Sequence, residues 1–306
     1  MTWHVDDSPP HPWTRDYVAV MWALRDKRAF TGEQHTLETA LRRQRDGDRP
    51  PTRWTRLRRR VATTTRESMT VWTVRPRRTR PTVRVLYLHG GGYVHPLTPD
   101  YWRLVRALSG VAEVVVPAYP LAPAAHVDDV VPRLVALARS LDDLPLVVMG
   151  DSAGGALALV IARHLRQDAP PPRAVVLLSP WLDATLDEDA VADLEPTDPM
   201  LEESGLRAAG RWWSGARATT DPEVSPMFGD LAGLPSIDVH IGAHDILRPA
   251  VEDLVERAER TEDAVVTVHE RTSMFHVWMT RFIPEGAQTR RSLQERLRGV
   301  AERDGR

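Results

Sequence analysis

The sequence predicts an α/β fold: a mainly parallel, eight-stranded sheet with helices on both faces and a helical cap. Two observations favour this class. After residue 53, short apolar runs alternate with longer amphipathic segments, a rhythm typical of parallel sheets whose crossover helices cover both faces. The chain has 306 residues, of which 42% are hydrophobic, enough to bury one large core. The sequence shows no internal repeat of the length that solenoids or propellers require.

The predicted strands are short runs rich in β-branched and aliphatic residues. They are Arg56–Thr63, Met69–Val74, Val83–Leu88, Glu113–Pro117, Leu146–Met149, Ala174–Leu178, Ile237–Ile241 and Val265–His269. Longer segments with apolar residues at helical spacing predict the covering helices. These are Asp100–Ser109, Val127–Leu141, Ala153–Arg166, Pro249–Arg260 and Thr289–Arg303.

Two segments fall outside this rhythm and predict the cap. Residues 12–45 carry apolar side chains at helical spacing and are interpreted as two short amphipathic helices, which the linker Asp46–Thr52 ends. Residues 183–234 are acidic at first, then helical over Glu202–Trp213, and then proline-rich. The predicted organisation is therefore N-terminal cap helices in 1–50, a core made of 51–182 and 235–306, and a cap insertion in 183–234.

Composition excludes several functional classes. The formal net charge of −2 gives no global attraction for nucleic acid or an anionic membrane, and the lack of cysteine rules out disulfides, thiolate nucleophiles and cysteine-based metal sites. No apolar run approaches the roughly 20 residues that span a bilayer, and residues 1–12 lack the features of a secretory signal, so a cytoplasmic protein is expected. Lys27 is the only lysine and asparagine is absent, which fits a GC-rich bacterial genome.

The strongest functional signal is the segment Gly150–Gly155 (GDSAGG), which a predicted strand enters and a predicted helix leaves. A serine on such a sharp turn needs glycine two residues before and after it, because a Cβ there would clash. The helix that follows offers a positive dipole end and free N–H groups for developing negative charge. A glycine-rich turn with an incidental serine would also fit G-x-S-x-G. The surrounding strand and helix therefore make Ser152 the candidate nucleophile.

A second glycine motif lies about 60 residues earlier. His89-Gly90-Gly91-Gly92 directly follows the predicted strand Val83–Leu88. Consecutive glycines let backbone N–H groups face a tetrahedral oxyanion, so this loop is a candidate oxyanion hole, with a merely flexible loop as the alternative. His89 is expected to shape the loop by hydrogen bonding and not to transfer protons.

A hydrolase of this arrangement needs an acid after the serine, and three aspartates are candidates. Asp238 opens the predicted strand Ile237–Ile241, at the end of the sheet away from Ser152, and Asp253 lies a turn into the following helix. Asp245 follows the carboxyl end of that strand, the same edge as Ser152. We therefore expect Asp245 to be the acid, with a solvated loop aspartate as the alternative.

Two histidines are candidates for the catalytic base. His269 lies inside a predicted strand with period-two alternation, so its side chain should point sideways from the sheet. His276 follows in the loop beyond that strand, where an imidazole can reach Ser152 and be oriented by Asp245. The predicted catalytic triad is therefore Ser152, Asp245 and His276.

Six segments together resemble the hormone-sensitive-lipase-like family of α/β-hydrolase-fold serine esterases. They are His89–Gly92, Tyr119–Pro123, Gly150–Gly155, Ser179–Asp183, Gly242–Leu247 and Met274–Trp278, and the resemblance extends over about residues 53–300. It implies the α/β-hydrolase fold and hydrolysis of carboxylic esters through an acyl-enzyme, with neither cofactor nor metal. It also implies an oxyanion hole made by the N–H groups of Gly91, Gly92 and Ala153, and a cap over the pocket.

Three positions depart from the family pattern. Pro120 stands where an arginine usually follows the tyrosine, and Ala156 stands where an asparagine often follows the double glycine. Val277-Trp278 replaces the Gly-Phe pair that is common after the histidine. None of these changes removes a catalytic group, so we expect them to affect the substrate pocket.

The predicted function is hydrolysis of short to medium acyl esters. The expected partner is a small-molecule ester substrate, with no nucleic acid and no membrane, and a homodimer is left open. One alternative is a catalytically weak homologue that binds a ligand. Another is an esterase or acyl-transferring enzyme that tailors a natural product. An interface-activated lipase is disfavoured because the sequence contains no long apolar lid.

Other side-chain groups have simpler explanations. Arginines at positions 53, 56, 58, 59, 60, 75, 77, 78 and 80 lack interleaved aromatics, so they are interpreted as the solvated face of an edge hairpin and not as a nucleic-acid surface. His240 and His244 are not expected to bind metal, because a strand-to-loop change separates them. For Trp13, Trp22 and Trp212-Trp213, packing is favoured over a role in lining an acyl pocket.

Overall fold

The computed structural model describes residues 1–24, 26–186 and 189–304, and within these ranges nine strands form one sheet. The strands are β1 (Thr2–Asp6), β2 (Arg60–Arg66), β3 (Met69–Arg75), β4 (Arg84–Leu88), β5 (Glu113–Ala118), β6 (Leu146–Asp151), β7 (Ala174–Leu178), β8 (Ile237–His244) and β9 (Val266–Phe275). The helices are α1 (Pro12–Leu24), α2 (Glu33–Asp46), α3 (Arg53–Arg58), α4 (Tyr101–Leu108), α5 (Val127–Arg139), α6 (Ala153–Leu165), α7 (Asp189–Leu194), α8 (Glu203–Ser214), α9 (Arg248–Glu259) and α10 (Pro284–Asp304). Among the described helices, none combines the length and apolar composition needed to cross a bilayer.

The sheet is parallel except at one edge. Its strand order is β1-β9-β8-β7-β6-β4-β5-β3-β2. The hairpin β2–β3 joins antiparallel to β5, and the remaining neighbours, from β1 to β5, pair in parallel. The predicted fold class is confirmed, but the number of strands is nine and not eight.

Alternate residues of the central strands face two separate cores, as a side-chain period of two requires. Leu86 and Leu88 of β4 belong to the core under α5, α6 and α9, whereas Val85 and Tyr87 belong to the core under α4 and α10. Every residue of β4 is buried. Burial on both faces explains why the central strands are continuous apolar runs.

Five neighbouring strands end at the same edge of the sheet. Because β4, β6, β7, β8 and β9 are parallel, their carboxyl ends and the loops that follow lie together. These loops begin at His89, Ser152, Ser179, Asp245 and His276. The fold thus collects segments that are almost 190 residues apart in the sequence at one edge.

The ninth strand is β1, which the sequence does not predict. Residues 1–50 are predicted to form only cap helices, but Thr2–Asp6 pairs in parallel with β9, with Thr2 opposite Thr267. The indole of Trp3 donates to the carboxylate of Glu270 at 2.8 Å. Most of β1 is exposed, so it lacks the apolar alternation by which a strand is recognised.

Several predicted boundaries also differ, among them those of β2 and β9. A strand was expected from Arg56, but Arg53–Arg58 form α3, because the side chain of Thr52 accepts from the amide of Thr55 and caps a helix. β9 continues to Phe275 instead of ending at His269, because its pairing with β8 resumes after a register shift. His276 therefore directly follows the strand.

The N-terminal helices and the insertion contact each other above the glycine loop. An ion pair joins Arg211 of α8 to Glu33 of α2 at 2.7 Å. The side chain of Gln44, on α2, donates to the carbonyls of Val94 and Ala122 at 2.8 Å each. The division of the chain into a cap and a core stays a prediction.

Candidate active site

Ser152 lies on a strained turn between β6 and α6. Its φ of 53° and ψ of −124° are unusual for a residue with a side chain, and such strain is typical of functional positions. A Cβ on Gly150 would lie 2.0 Å from the carbonyl oxygen of Gly154, and a Cβ on Gly154 would lie 2.1 Å from that of Leu88. Glycine is therefore required on both sides of the serine, as the motif analysis expects.

Asp245 and His276 form a buried hydrogen-bonded pair. Asp245 Oδ2 lies 2.9 Å from His276 Nδ1, and the aspartate is completely buried. Asp245 Oδ1 also accepts from the amide of Leu247 at 3.0 Å, which fixes the carboxylate in its loop. Because a carboxylate accepts, Nδ1 of His276 carries the proton and Nε2 is left with its lone pair.

Negative charge around His276 shifts its titration. Burial disfavours the imidazolium, but the charges of Asp245, Asp198 and Asp151 and the hydrogen bond to Asp245 outweigh this cost, so the pKa of His276 is raised. Burial in turn raises the pKa of Asp151 to about 6. The surrounding acidic side chains therefore stabilise His276 once its imidazole has taken up a proton.

The backbone amides of Gly91, Gly92 and Ala153, near Ser152, make no hydrogen bond within the described part of the chain. The neighbouring amide, Gly90 N–H, is occupied, because it donates to Asp151 Oδ1 at 3.1 Å. Ala153 is the first residue of α6, where N–H groups and the helix dipole favour an anion. These are the amides that the family resemblance implies for an oxyanion hole.

His89 supports the glycine loop and makes no hydrogen bond to Ser152. Its Nδ1 lies 2.7 Å from the carbonyl of Gly90, and its ring stacks on Tyr119 at 4.3 Å. The hydroxyl of Tyr119 donates to the carbonyl of His89 at 2.5 Å. Burial lowers the pKa of His89, which stays neutral. The prediction that His89 shapes the loop by hydrogen bonding is confirmed.

A cavity of about 410 Å³ joins these groups. Ser152, His276, Gly91 and Gly92 line it, and Asp245 lies behind His276. Further lining comes from the predicted cap segments and includes Ala29, Phe30, Arg43, Met200 and Leu201. The structure thus brings the predicted serine, histidine and glycine loop to one cavity.

Sequence reasoning missed a buried carboxylate in the insertion. Asp198 Oδ1 accepts from the amides of Met200 and Leu201 at 2.7 and 3.0 Å. Its Oδ2 accepts from the amide of Ile246, the residue after Asp245, at 3.1 Å. Asp198 therefore ties a segment that lines the cavity to the loop that carries the acid.

The charge environment of Asp198 is unusual. Burial and the neighbouring charge of Asp245 raise the pKa of Asp198 to about 7. Its position before Pro199 in an acidic segment is a weak signal, because several other acids in residues 183–203 share that composition. Only the folded structure distinguishes Asp198 from these other acidic residues.

The rejected candidates lie elsewhere. Asp238 pairs with Arg296 at 2.7 Å, and Asp253 lies on α9. His269 lies away from the cavity, with its ring between those of His4 and His240. In the described ranges, His, Asp and Glu side chains form no group of three that could hold a metal ion.

The tryptophans weighed for an acyl pocket also lie outside the cavity. Trp213 is buried and stacks on Tyr93 at 4.2 Å with nearly parallel rings. Trp212 is partly buried against the larger core, whereas Trp13 and Trp22 are about half exposed. Packing is the role that the structure supports for Trp213.

The residue after the histidine has a strained backbone. Val277 adopts a left-handed conformation, with φ 47° and ψ 38°, which costs a β-branched residue energy that glycine avoids. Its amide donates to the hydroxyl of Ser179 at 3.0 Å. The glycine common in the family would suit this backbone, and here the bond from the end of β7 holds the valine in it.

Comparison with known proteins identifies the fold family. The family profile described as alpha/beta hydrolase fold matches residues 85–280. An acetyl-hydrolase of Streptomyces hygroscopicus is 31% identical over 213 residues, which are 66% of this chain and 71% of that protein. The crystal structure of an esterase/lipase from an uncultured bacterium matches with a TM-score of 0.82 at 26% identity, over 95% of this chain and 99% of the other.

A hormone-sensitive lipase from a metagenome library shares the fold, with a TM-score of 0.78 at 24% identity over 97% of this chain and all of the other. The family match includes the glycine loop, the serine turn, Asp245 and His276. The resemblance noted in the sequence is confirmed. The chain belongs to the α/β-hydrolase fold family and is an enzyme of the serine hydrolase type.

Proposed function

We propose that this protein hydrolyses carboxylic esters of short to medium acyl length with Ser152, His276 and Asp245 as its catalytic triad. The observation that carries the proposal is the buried contact of 2.9 Å between His276 Nδ1 and Asp245 Oδ2, at a cavity that Ser152 also lines. In this pair Asp245 orients the imidazole and stabilises the imidazolium.

The reaction has two halves. Ser152 Oγ attacks the ester carbonyl while His276 Nε2 takes its proton, and the resulting oxyanion accepts hydrogen bonds from the amides of Gly91, Gly92 and Ala153. Collapse of this intermediate expels the alcohol, which takes the proton from His276, and leaves the acyl group on Ser152. A water molecule deprotonated by His276 then attacks the acyl carbonyl. Collapse of this second intermediate breaks the bond to Ser152 Oγ, which takes the proton back from His276, and releases the acid.

The acyl-length limit follows from the shape of the cavity. Its volume is about 410 Å³, and Phe30 from the N-terminal segment and Met200 and Leu201 from the insertion line it. We propose that these two segments act as the cap and restrict the acyl chain to about two to eight carbons. The acetyl-hydrolase name of one relative supports the short end of this range.

The test is hydrolysis of p-nitrophenyl esters with two to sixteen acyl carbons by the wild-type protein and by Ser152→Ala. We expect the rate to peak at about two to eight carbons and the variant to lose all but about 0.1% of kcat. Circular dichroism checks that the variant is folded. A maximum at sixteen carbons, or a jump in rate above the micellar limit, would contradict the acyl-length assignment.

Fluorophosphonate labelling separates an esterase from a ligand-binding homologue. A reactive Ser152 is labelled in the wild-type protein and the label is absent from Ser152→Ala. An unlabelled but folded wild-type protein would contradict the catalytic proposal.

A further inference from the structure

Five arginine side chains line a cleft of about 230 Å³ that is separate from the catalytic cavity. They are Arg58, Arg59, Arg103, Arg106 and Arg290, and Ala107 and Phe282 complete the lining. They come from the end of α3, from α4 and from α10, so the fold brings distant parts of the chain together here. Arg58 and Arg59 thus do not belong to the solvated hairpin face to which the sequence assigns them.

Only one carboxylate neutralises this cluster in the part of the chain that is described. Arg103 Nη1 lies 3.1 Å from Asp100 Oδ1, and the other oxygen of Asp100 is 3.0 Å from Arg281. No described carboxylate lies within ion-pair distance of the other four arginines. The cleft therefore keeps a concentrated excess of positive charge.

Backbone carbonyls orient three of these arginines. Arg103 Nη1 donates to the carbonyl of Thr280 at 2.8 Å. Arg59 Nη2 donates to the carbonyl of Arg106 at 2.9 Å. Arg290 Nη1 donates to the carbonyls of Met279 and Arg281 at 2.6 and 3.0 Å. A guanidinium has five N–H donors, so these bonds hold the groups in place and leave donors for another acceptor.

The crowding of like charges in the cleft is unfavourable. Burial and the charges of Arg103, Arg106 and Arg291 lower the pKa of Arg290 to about 10. Burial and neighbouring arginines also lower the pKa of Arg59 and Arg106. A bound anion would relieve this repulsion and gain charge-assisted hydrogen bonds at the same time.

We propose that this cleft binds a phosphate group. Phosphate presents several acceptor oxygens and up to two negative charges, which match the paired donors of several guanidinium groups better than a single carboxylate does. A small concave site suits one phosphate group, whereas the repeated phosphates of nucleic acid require an extended basic surface. The inference is independent of the proposed ester hydrolysis.

The phosphate can belong to a lipid headgroup or to a soluble compound. Phe282, in the wall of the cleft, is 70% exposed, and Arg103 lies 5.5 Å from the centre of its ring. Helix α3 also carries the exposed side chains of Trp54 and Leu57. Exposed apolar side chains beside arginines are typical of surfaces that lie at a lipid interface.

The test measures binding of inorganic phosphate by calorimetry, and binding to phosphatidylcholine vesicles with and without phosphatidic acid by flotation. The cleft variant combines Arg58→Gln and Arg106→Gln, because neither guanidinium makes a hydrogen bond within the described chain. The control combines Arg78→Gln and Arg80→Gln, which removes the same charge from an exposed turn outside the cleft. We expect binding by the cleft variant to be at least about tenfold weaker, and binding by the control to change less than about twofold.

The two probes distinguish a soluble phosphate compound from a lipid headgroup as the ligand of the cleft. Saturable binding of inorganic phosphate that the cleft variant loses assigns the site to soluble phosphates. Binding only to vesicles with phosphatidic acid, lost in the same variant, assigns it to lipid headgroups. The proposal is overturned if neither probe binds the wild-type protein, or if both variants lose binding equally while circular dichroism shows that they are folded.

Discussion

Strand β9 carries two histidines in contrasting surroundings, one within the strand and one just after its end. The ring of His269 is stacked between those of His4 and His240, at centroid distances of 5.4 and 4.8 Å. His276 instead meets the carboxylate of Asp245 at 2.9 Å. The three stacked rings lie on the neighbouring strands β1, β9 and β8, at paired positions of the sheet.

The two surroundings shift the histidine pKa in opposite directions. Burial and the charge of His269 lower the pKa of His240 to about 3, and burial lowers that of His269 despite the nearby Asp238. His276 is also buried, but the surrounding carboxylates raise its pKa. Burial alone therefore keeps an imidazole neutral, and a base that can hold a proton needs acids at its side.

The largest expected effect separates His269, within β9, from His276, just after it. His276→Ala should lower kcat by about 10³-fold or more, because it removes the proposed general base. His269→Ala should change kcat by less than about tenfold, because its ring only packs in the stack. Both variants are assayed with one short-chain ester, with circular dichroism as the control for folding. An essential His269 and a dispensable His276 would refute the proposed triad.

A smaller effect is expected at Asp198. In Asp198→Asn an oxygen can still accept from Met200 and Leu201, but an amide N–H₂ then faces the N–H of Ile246, so the acid loop shifts. We expect kcat to fall by about ten- to a hundredfold. Asp183→Asn is the matched control, because this buried carboxylate of the insertion accepts from Thr185 and does not touch the acid loop.

The pH profile distinguishes this charge effect from a purely structural one. The base is active when neutral and its pKa is raised, so activity of the wild-type protein should rise with pH through an apparent pKa above the usual 6.5. Loss of the charge of Asp198 lowers the pKa of His276. In Asp198→Asn, the rise in activity on the acidic side of the pH profile should therefore occur at lower pH. If kcat falls but the apparent pKa of the profile does not change, Asp198 has only a structural role.

The smallest effect concerns the stacked rings. Below pH 6.5, His240 is protonated in the unfolded chain but stays neutral in the folded chain. The free energy of unfolding therefore decreases as the pH falls from 7 to 5. His240→Phe should reduce that loss by roughly 2 kcal/mol in the free energy of unfolding. Denaturant unfolding at both pH values measures it, with the exposed His244→Phe as control. Equal pH dependence in all three proteins would show that His240 is protonated in the fold.

The central sheet could be predicted because its strands are buried on both faces and carry an unmistakable apolar signal. The serine turn could be predicted because close backbone approach demands glycine at fixed spacing. The edge strand β1 has no such signal, because most of its side chains are exposed and its partner β9 lies at the far end of the sequence. The extension of β9 to Phe275 is missed for a related reason, since the polar residues Thr272 and Ser273 lie in the register shift after which pairing with β8 resumes.

The remaining gaps in the candidate site concern groups whose importance depends on long-range contacts. Asp198 resembles the other acids of its segment until the fold places it against Ile246. The arginine cleft is divided between positions near 58, 105 and 290, and no local pattern connects them. The local sequence identifies residues that require an unusual backbone conformation. The charges that surround a side chain come from distant parts of the chain, so they are known only from the folded structure.

The pairing of β1 with β9 has a consequence for synthesis of the protein. Among the described strands, β1 leaves the ribosome first and β9 leaves last, so β1 must wait unpaired until translation is nearly complete. His276 directly follows β9, so the nascent chain carries Ser152 long before it carries a base. Strand β1 therefore gains its pairing partner and the chain gains its proposed base at the same stage of synthesis.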